Sequence, residues 1–242
     1  MSDIFLKAYH GGLGDNLQFS TLPEEFAKQQ GKQTYILESA PFRNQEIYDL
    51  IWGKNPYILG RKEGNWNAGD LPEIKNENIY DNCILNWEYH HGLKPTNRYP
   101  KIYYNPKFIS KHKDTIFVDL SSISIDYDKS QIQLAINNYR KQFKTKKFVS
   151  ISFKNIPTKD KFNNYSIELD DNLIIDNIFE YCDAIISAFV FIALSSGSSH
   201  LSSALKAYNP DLKSICLMDR NWFDFHKKNG RFLFDNIQYH II

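Results

Sequence analysis

Short apolar runs that end in turn residues alternate along this chain with segments whose apolar positions recur every three or four residues. Residues 4–8 (IFLKA) form the first run, and it enters His10-Gly11-Gly12-Leu13-Gly14-Asp15 as a buried strand enters a tight glycine-rich turn. A helix is expected next. Asp15 or Asn16 is suited to cap it, Leu17, Leu22 and Phe26 mark its inner side, Pro23 should kink or divide it, and Gly31 should stop it. Residues 34–37 read as a strand, 46–51 as a helix and 57–59 as a strand, which is the signature of an α/β fold. Between residues 60 and 113 the periodicity dissolves into Asn, Gly, Pro, Lys and scattered aromatic residues, and no element is assigned.

Order returns at TIFVDL (115–120), a strand. A helix follows Ser130 on Ile132, Ala135, Ile136 and Tyr139, then a strand over 148–153. Residues 172–188 read as one helix capped by Asp170 or Asp171, with Leu173, Ile174, Ile178, Tyr181, Ile185 and Ile186 on its apolar stripe. An apolar strand over 189–194 breaks at Ser195-Ser196-Gly197-Ser198-Ser199. A small-residue helix over 200–207, a strand over 214–218 and an aromatic tail complete the chain. The expectation is an α/β protein of two Rossmann-like α/β/α domains facing a cleft, 1–112 and 113–242. Parallel sheets of this kind bind ligands at the carboxyl ends of their strands, where helix N-termini favour phosphate.

Composition narrows the function. With 29 Lys+Arg against 28 Asp+Glu and both signs dispersed, the chain lacks the basic surplus of a nucleic-acid binder. No window is apolar enough to span a bilayer, and the N-terminus lacks the features of a signal peptide. Cys83, Cys182 and Cys216 are too widely spaced for a disulfide framework or a zinc knuckle, so a reducing cytoplasm is the expected compartment.

Several constellations carry candidate chemistry. In Gly11-Gly12-Leu13-Gly14-Asp15-Asn16 the glycines allow close ligand approach, and the Asp15 carboxylate would project from a strand-to-helix turn, although it equally suits a helix cap. The segment matches neither GxGxxG nor a P-loop. Ser195-Ser196-Gly197-Ser198-Ser199-His200 offers hydroxyls and amides for a diphosphate, with His200 as a further donor, or else it is only a turn. Asp126-Tyr127-Asp128-Lys129, after Ser121-Ser122, holds a lysine able to neutralise a leaving phosphate, or reads as a solvated loop; its two carboxylates do not specify a cation. Trp87-Glu88-Tyr89-His90-His91-Gly92 suits packing or an acceptor-side loop with a sugar against its rings.

The sequence from Gly14 to Pro23 (GDNLQFSTLP), taken with Ser196-Gly197-Ser198-Ser199-His200-Leu201, resembles the heptosyltransferase family of GT-B glycosyltransferases. There a Gly-Asp turn before a proline-containing helix opens the acceptor-side domain, and an Asp-Thr-Gly-x-x-His-Leu motif lies in the nucleotide-sugar domain. Here Ser195 stands at the acidic position, Ser196 at the threonine, Gly197 at the glycine and His200 at the histidine. The chain is shorter than a usual member, so the fold would be a reduced GT-B. The resemblance implies inverting transfer from a nucleotide-diphosphate sugar to a cell-envelope saccharide, free or lipid-linked, of lipooligosaccharide or capsule, with no cofactor and no metal. Asp15 would be the base; Gly12, Gly14 and Asn16 would shape the acceptor-side loop. Lys129, Ser196, Gly197, Ser198 and His200 would hold the diphosphate. Such an enzyme would be cytoplasmic, with peripheral association at the inner face of the membrane left open. A nucleotide-sugar hydrolase or epimerase, and a non-catalytic nucleotide-sugar-binding protein, remain alternatives on the same scaffold.

Overall fold

The computed structural model describes residues 3–72, 79–122, 125–154 and 163–242. The chain divides into unit 1, Met1–Tyr104 with His226–Phe234, and unit 2, Asn105–Phe225 with Asp235–Ile242.

In unit 1, strands β1 (Ile4–Lys7), β2 (Thr34–Leu37), β3 (Ile58–Lys62) and β4 (Ala68–Gly69) form a parallel sheet in the order β3-β2-β1-β4. The expected first helix is divided, as Pro23 requires. Helix α1 (Leu13–Leu17) ends before a turn, and α2 (Leu22–Gln30) restarts with Pro23 in its first turn, where a missing N–H costs nothing. Gly31 closes α2 in the left-handed conformation, φ 63°. The cap of α1 differs from expectation: Gly12 is the N-cap, and Asp15 lies three residues inside and reaches back to it. Helix α3 (Gln45–Tyr48) runs into a π-helical turn, Asp49–Gly53. Within the unassigned stretch lie β4 and α4 (Cys83–His90), the helix capped by Asn82, whose Oδ1 accepts from Ile84 N and Leu85 N.

Two buried acids organise the return of the chain over α2 and α4. Glu88, fully buried, accepts from the Thr96 and Asn97 amides and from Asn97 Nδ2. Glu24 accepts from Lys28 and Lys101 ammonium groups and the Tyr103 hydroxyl. Burial by itself would raise its pKa, but these donors outweigh it and bring it down to about 2.

Unit 2 is built on β5 (Thr115–Asp119), the short β6 (Ser121–Ser122), α5 (Lys129–Gln142), β7 (Lys147–Phe153), β8 (Asn163–Asn164), β9 (Asp171–Ile175), α6 (Ile178–Ser187), β10 (Val190–Leu194), α7 (Gly197–Leu205), β11 (Lys213–Met218), α8 (Arg220–Lys228) and β12 (Gln238–Ile241). Six parallel strands stand in the order β9-β7-β5-β10-β11-β12, the dinucleotide-fold order, and β6 pairs antiparallel with β8. Strands β5 and β10 are buried on both faces, as their unbroken apolar sequences demand.

The long helix expected over 172–188 is instead strand, turn and helix. Residues 171–175 pair with β7, and Asn177, accepting from Phe179 N and Glu180 N, caps α6. Helical spacing of Leu173 and Ile174 with Ile178 misled because a half-exposed edge strand also alternates, and sheet pairing decided the matter. Asp170 does not cap a helix; its Oδ2 accepts from Phe148 N, and Asp171 pairs with Lys147. Helix α7 begins three residues earlier than residue 200, at Gly197.

Asp119, at the end of β5, ties these elements together. Its carboxylate accepts from the Tyr181 hydroxyl on α6, Ser198 Oγ on α7 (2.6 Å), and the amide and hydroxyl of Ser121 on β6. Asp119→Ala strands these buried donors and should cost about 3–5 kcal/mol in urea denaturation, against a smaller loss for Asp119→Asn. In unit 1 the depressed pKa of Glu24 contributes stability that is full above about pH 4.5 and is lost as pH falls toward 2. Glu24→Gln should therefore flatten the acid limb of a Tm-against-pH curve in that window.

Candidate functional site

In each sheet the first strand, β1 or β5, lies at the point where the strand order reverses, with β4 or β10 on its other side. Loops diverge there and leave a crevice at the carboxyl ends of the strands. Both expected motifs sit at these points.

In unit 1 the crevice is a cavity of about 190 Å³ lined by residues that include His10, Asp15, Asp70, Trp87, His90 and Arg231. Asp15 Oδ2 accepts from Gly12 N at 3.1 Å, and Oδ1 has no hydrogen-bond partner among the described residues. A Cβ on residue 12 would stand 2.5 Å from Asp15 Oδ2, so the glycine leaves room for this carboxylate. Asn16 faces inward: buried, it donates to Gly12 O and accepts from Trp52 Nε1. Gly14, in the first turn of α1, supplies the carbonyl that accepts from Gln18 N.

Sequence reasoning missed Asp70 and Arg231. Asp70 follows β4, where the strand stops at Gly69 (φ 98°); a Cβ there would lie 2.2 Å from Lys7 O, so only glycine permits the turn. Gly69 N donates to His91 Nε2, and His91 Nδ1 lies 2.6 Å from Trp87 O, so the Nδ1 tautomer fits. Burial lowers the His91 pKa, keeping it neutral. His91 is thus a structural link, whereas its neighbours Trp87 and His90 face the cavity. Burial also raises the Asp70 pKa, Arg231 and His10 oppose that, and the Asp15 charge adds to it. Arg231 arrives on the segment 226–234, through Gly230 (φ 53°) and Phe232 (φ 52°). Cys83 also lines the cavity, but its thiol is pushed up to about 11 by burial and is no nucleophile.

In unit 2, β10 delivers Ser195 and Ser196 to the crevice, and Ser196 caps α7 by accepting from Ser198 N. Ser199 Oγ returns to Ser196 O, and Ser198 Oγ is held by Asp119. Gly197 opens the helix, and His200 is buried in its first turn. Lys129 is exposed at the first residue of α5, whose cap is Asp128 through Ser130 N and Oγ. All three cysteines are free and buried. Among the described residues no group of three or more His, Cys, Asp or Glu side chains is placed to hold a metal ion, and no helix is long and apolar enough to cross a membrane.

No family model matches this sequence, and no curated protein matches it by sequence. Solved structures do. The chain is similar to the iron-containing dodecameric glycosyltransferase TibC of enterotoxigenic E. coli H10407 (TM-score 0.65, 14% identity, 98% of this chain and 62% of TibC), which has also been solved with ADP-D-beta-D-heptose. It is similar to a glycosyl transferase family 9 protein of Veillonella parvula DSM 2008 (TM-score 0.56, 9% identity, 99% and 84%) and to the E. coli heptosyltransferase WaaC with ADP (TM-score 0.55, 9% identity, 100% and 93%). The chain spans less than two thirds of the length of TibC. What these likenesses share is architecture: the chain has a heptosyltransferase-like, GT-B-like α/β fold with two parallel sheets.

Proposed function

We propose that this protein is an inverting glycosyltransferase that moves a sugar from a nucleotide-diphosphate donor to a cell-envelope saccharide without a metal ion. The observation that carries the reading is Asp15, a carboxylate in the switch-point cavity of a heptosyltransferase-like fold. Neighbours solved with ADP-D-beta-D-heptose and with ADP support a nucleotide-sugar donor.

In the proposed reaction Asp15 takes the proton from an acceptor hydroxyl as that oxygen attacks the anomeric carbon. The new C–O bond forms while the bond to phosphate breaks, and its electron pair leaves with the nucleoside diphosphate. Gly12 N–H orients the base through Oδ2, so Oδ1 is the oxygen that receives the proton. The leaving charge is met by the N-terminus of α7, with Ser196, Gly197, Ser198 and His200 around it and Lys129 as a counter-charge. Ser195, at the family's acidic position, leaves Asp119 as the carboxylate beneath this helix. The reaction would run in the cytoplasm, on an acceptor of the lipooligosaccharide or capsule class.

A thermal-shift screen with nucleoside diphosphates, with and without EDTA, tests the donor site. One diphosphate at about one hundred times its Kd should raise Tm by roughly 5–10 °C, EDTA should change nothing, and His200→Ala should abolish the shift. No shift with any nucleotide would overturn the reading. For the base, Asp15→Ala should lower kcat by about 10²–10⁴-fold with the nucleotide shift intact. Gly12→Ala, which displaces the same carboxylate, should lower kcat and leave Tm nearly unchanged.

A further inference from the structure

The cavity of unit 1 contains two charged groups that the transfer chemistry does not use. Asp70 is half-buried beside Asp15, and Arg231 is close enough for its charge to act on Asp70. Among the described residues, however, neither the Asp70 carboxylate nor the Arg231 guanidinium makes a hydrogen bond or an ion pair. An opposed pair held apart in a crevice loses solvation without gaining contact, a cost recovered when a ligand bridges it.

Both groups are placed by specific backbone features. Gly69 turns the chain after β4 in a conformation closed to other residues, aiming Asp70 at the switch point. Phe232 is the one non-glycine residue with positive φ among the described residues, and it lines the same cavity next to Arg231. Strain of this kind persists where surrounding structure holds it for a purpose. Burial first, then the charge of Arg231, lowers the His226 pKa to about 4, and the neutral ring packs edge-on against Phe232, fixing the segment.

The rest of the lining defines the occupant. Trp87 supplies a ring to stack on, and Asp15 and Asp70 supply carboxylates for hydroxyls, whereas the Gln18 amide is engaged with Asp15 O and Trp87 Nε1 and the Asn86 amide with the backbone of Ile79 and Tyr80; about 190 Å³ is below the volume of sites for drug-sized ligands. Two carboxyl groups, Asp15 and Asp70, share the cavity with one guanidinium, Arg231, beside His10 and His90, a lining that disfavours an anionic ring. We propose that Asp70 and Arg231 select the acceptor: they bridge adjacent hydroxyls of one neutral hexose ring and present a further hydroxyl to Asp15. The proposal rests on the glycosyltransferase reading, and it assigns the terminal acceptor unit to the uncharged hexoses.

Saturation-transfer NMR on the full chain, with methyl glucoside, methyl galactoside, methyl mannoside and methyl glucuronide as probes, tests it. At least one neutral hexoside should bind, the glucuronide should not, and Asp70→Asn and Arg231→Gln should each weaken the neutral probe about ten-fold or more. Each variant should keep the nucleoside-diphosphate thermal shift. Binding of no neutral hexoside, preference for the glucuronide, or unchanged affinity in the variants would overturn the proposal. Those failures are separable from failure of the parent reading, which shows instead as loss of the nucleotide shift in the wild type. Should Asp70→Asn fail to fold by circular dichroism, Arg231→Gln, on the partly exposed return segment, carries the comparison.

Discussion

The carboxylate of Asp119 is the constraint on which unit 2 depends. A buried charge survives only when donors surround it, and here they come from β6, α6 and α7 at once. Satisfying one side chain therefore fixes where the N-terminus of α7 stands relative to the end of β5. That helix start is also where a phosphate would be met, so the proposed donor chemistry inherits its precision from a structural requirement. Burial, then the adjacent Asp119 charge, raises the Tyr181 pKa far above its ordinary value, which keeps the phenol a donor.

Unit 1 solves the same topological problem with different residues. Its sheet also reverses order beside its first strand, and the loops after β1 and β4 bring Asp15 and Asp70 to one cavity. Unlike Asp119, Asp15 is not consumed by the fold: a single amide holds one oxygen. The acids that stabilise this unit, Glu24 and Glu88, lie elsewhere and have their hydrogen bonds filled by lysine, tyrosine, asparagine and backbone donors. The structural carboxylates and the proposed base are thus distinguished by how many donors each has, not by residue type.

Much of the α/β organisation was legible in the sequence because it rests on local physics. Apolar runs marked β1, β5 and β10, Pro23 divided a helix, Gly31 stopped one, and the Gly-Asp and Ser-Gly segments stood at strand-to-helix turns. The misreading of residues 172–188 shows the limit of periodicity, since only pairing with β7 distinguishes that edge strand from a helical stripe. Residues 60–113 resisted for a related reason: β4 is two residues long, and α4 carries tryptophan, tyrosine and histidine whose roles depend on partners far away in sequence.

Tertiary structure alone decided the cavity. Asp70 has no motif around it, and Arg231 lies 161 positions later on a segment that returns to unit 1. Neither has a local signal, because what they share is a strand order and a chain return, both set by long-range pairing. The sequence by itself determined which turns carry glycine, which carry acid and which carry hydroxyls. The fold determined which of those acids is surrounded by donors of the protein and which is held by a single amide, because satisfaction depends on neighbours that only folding assembles.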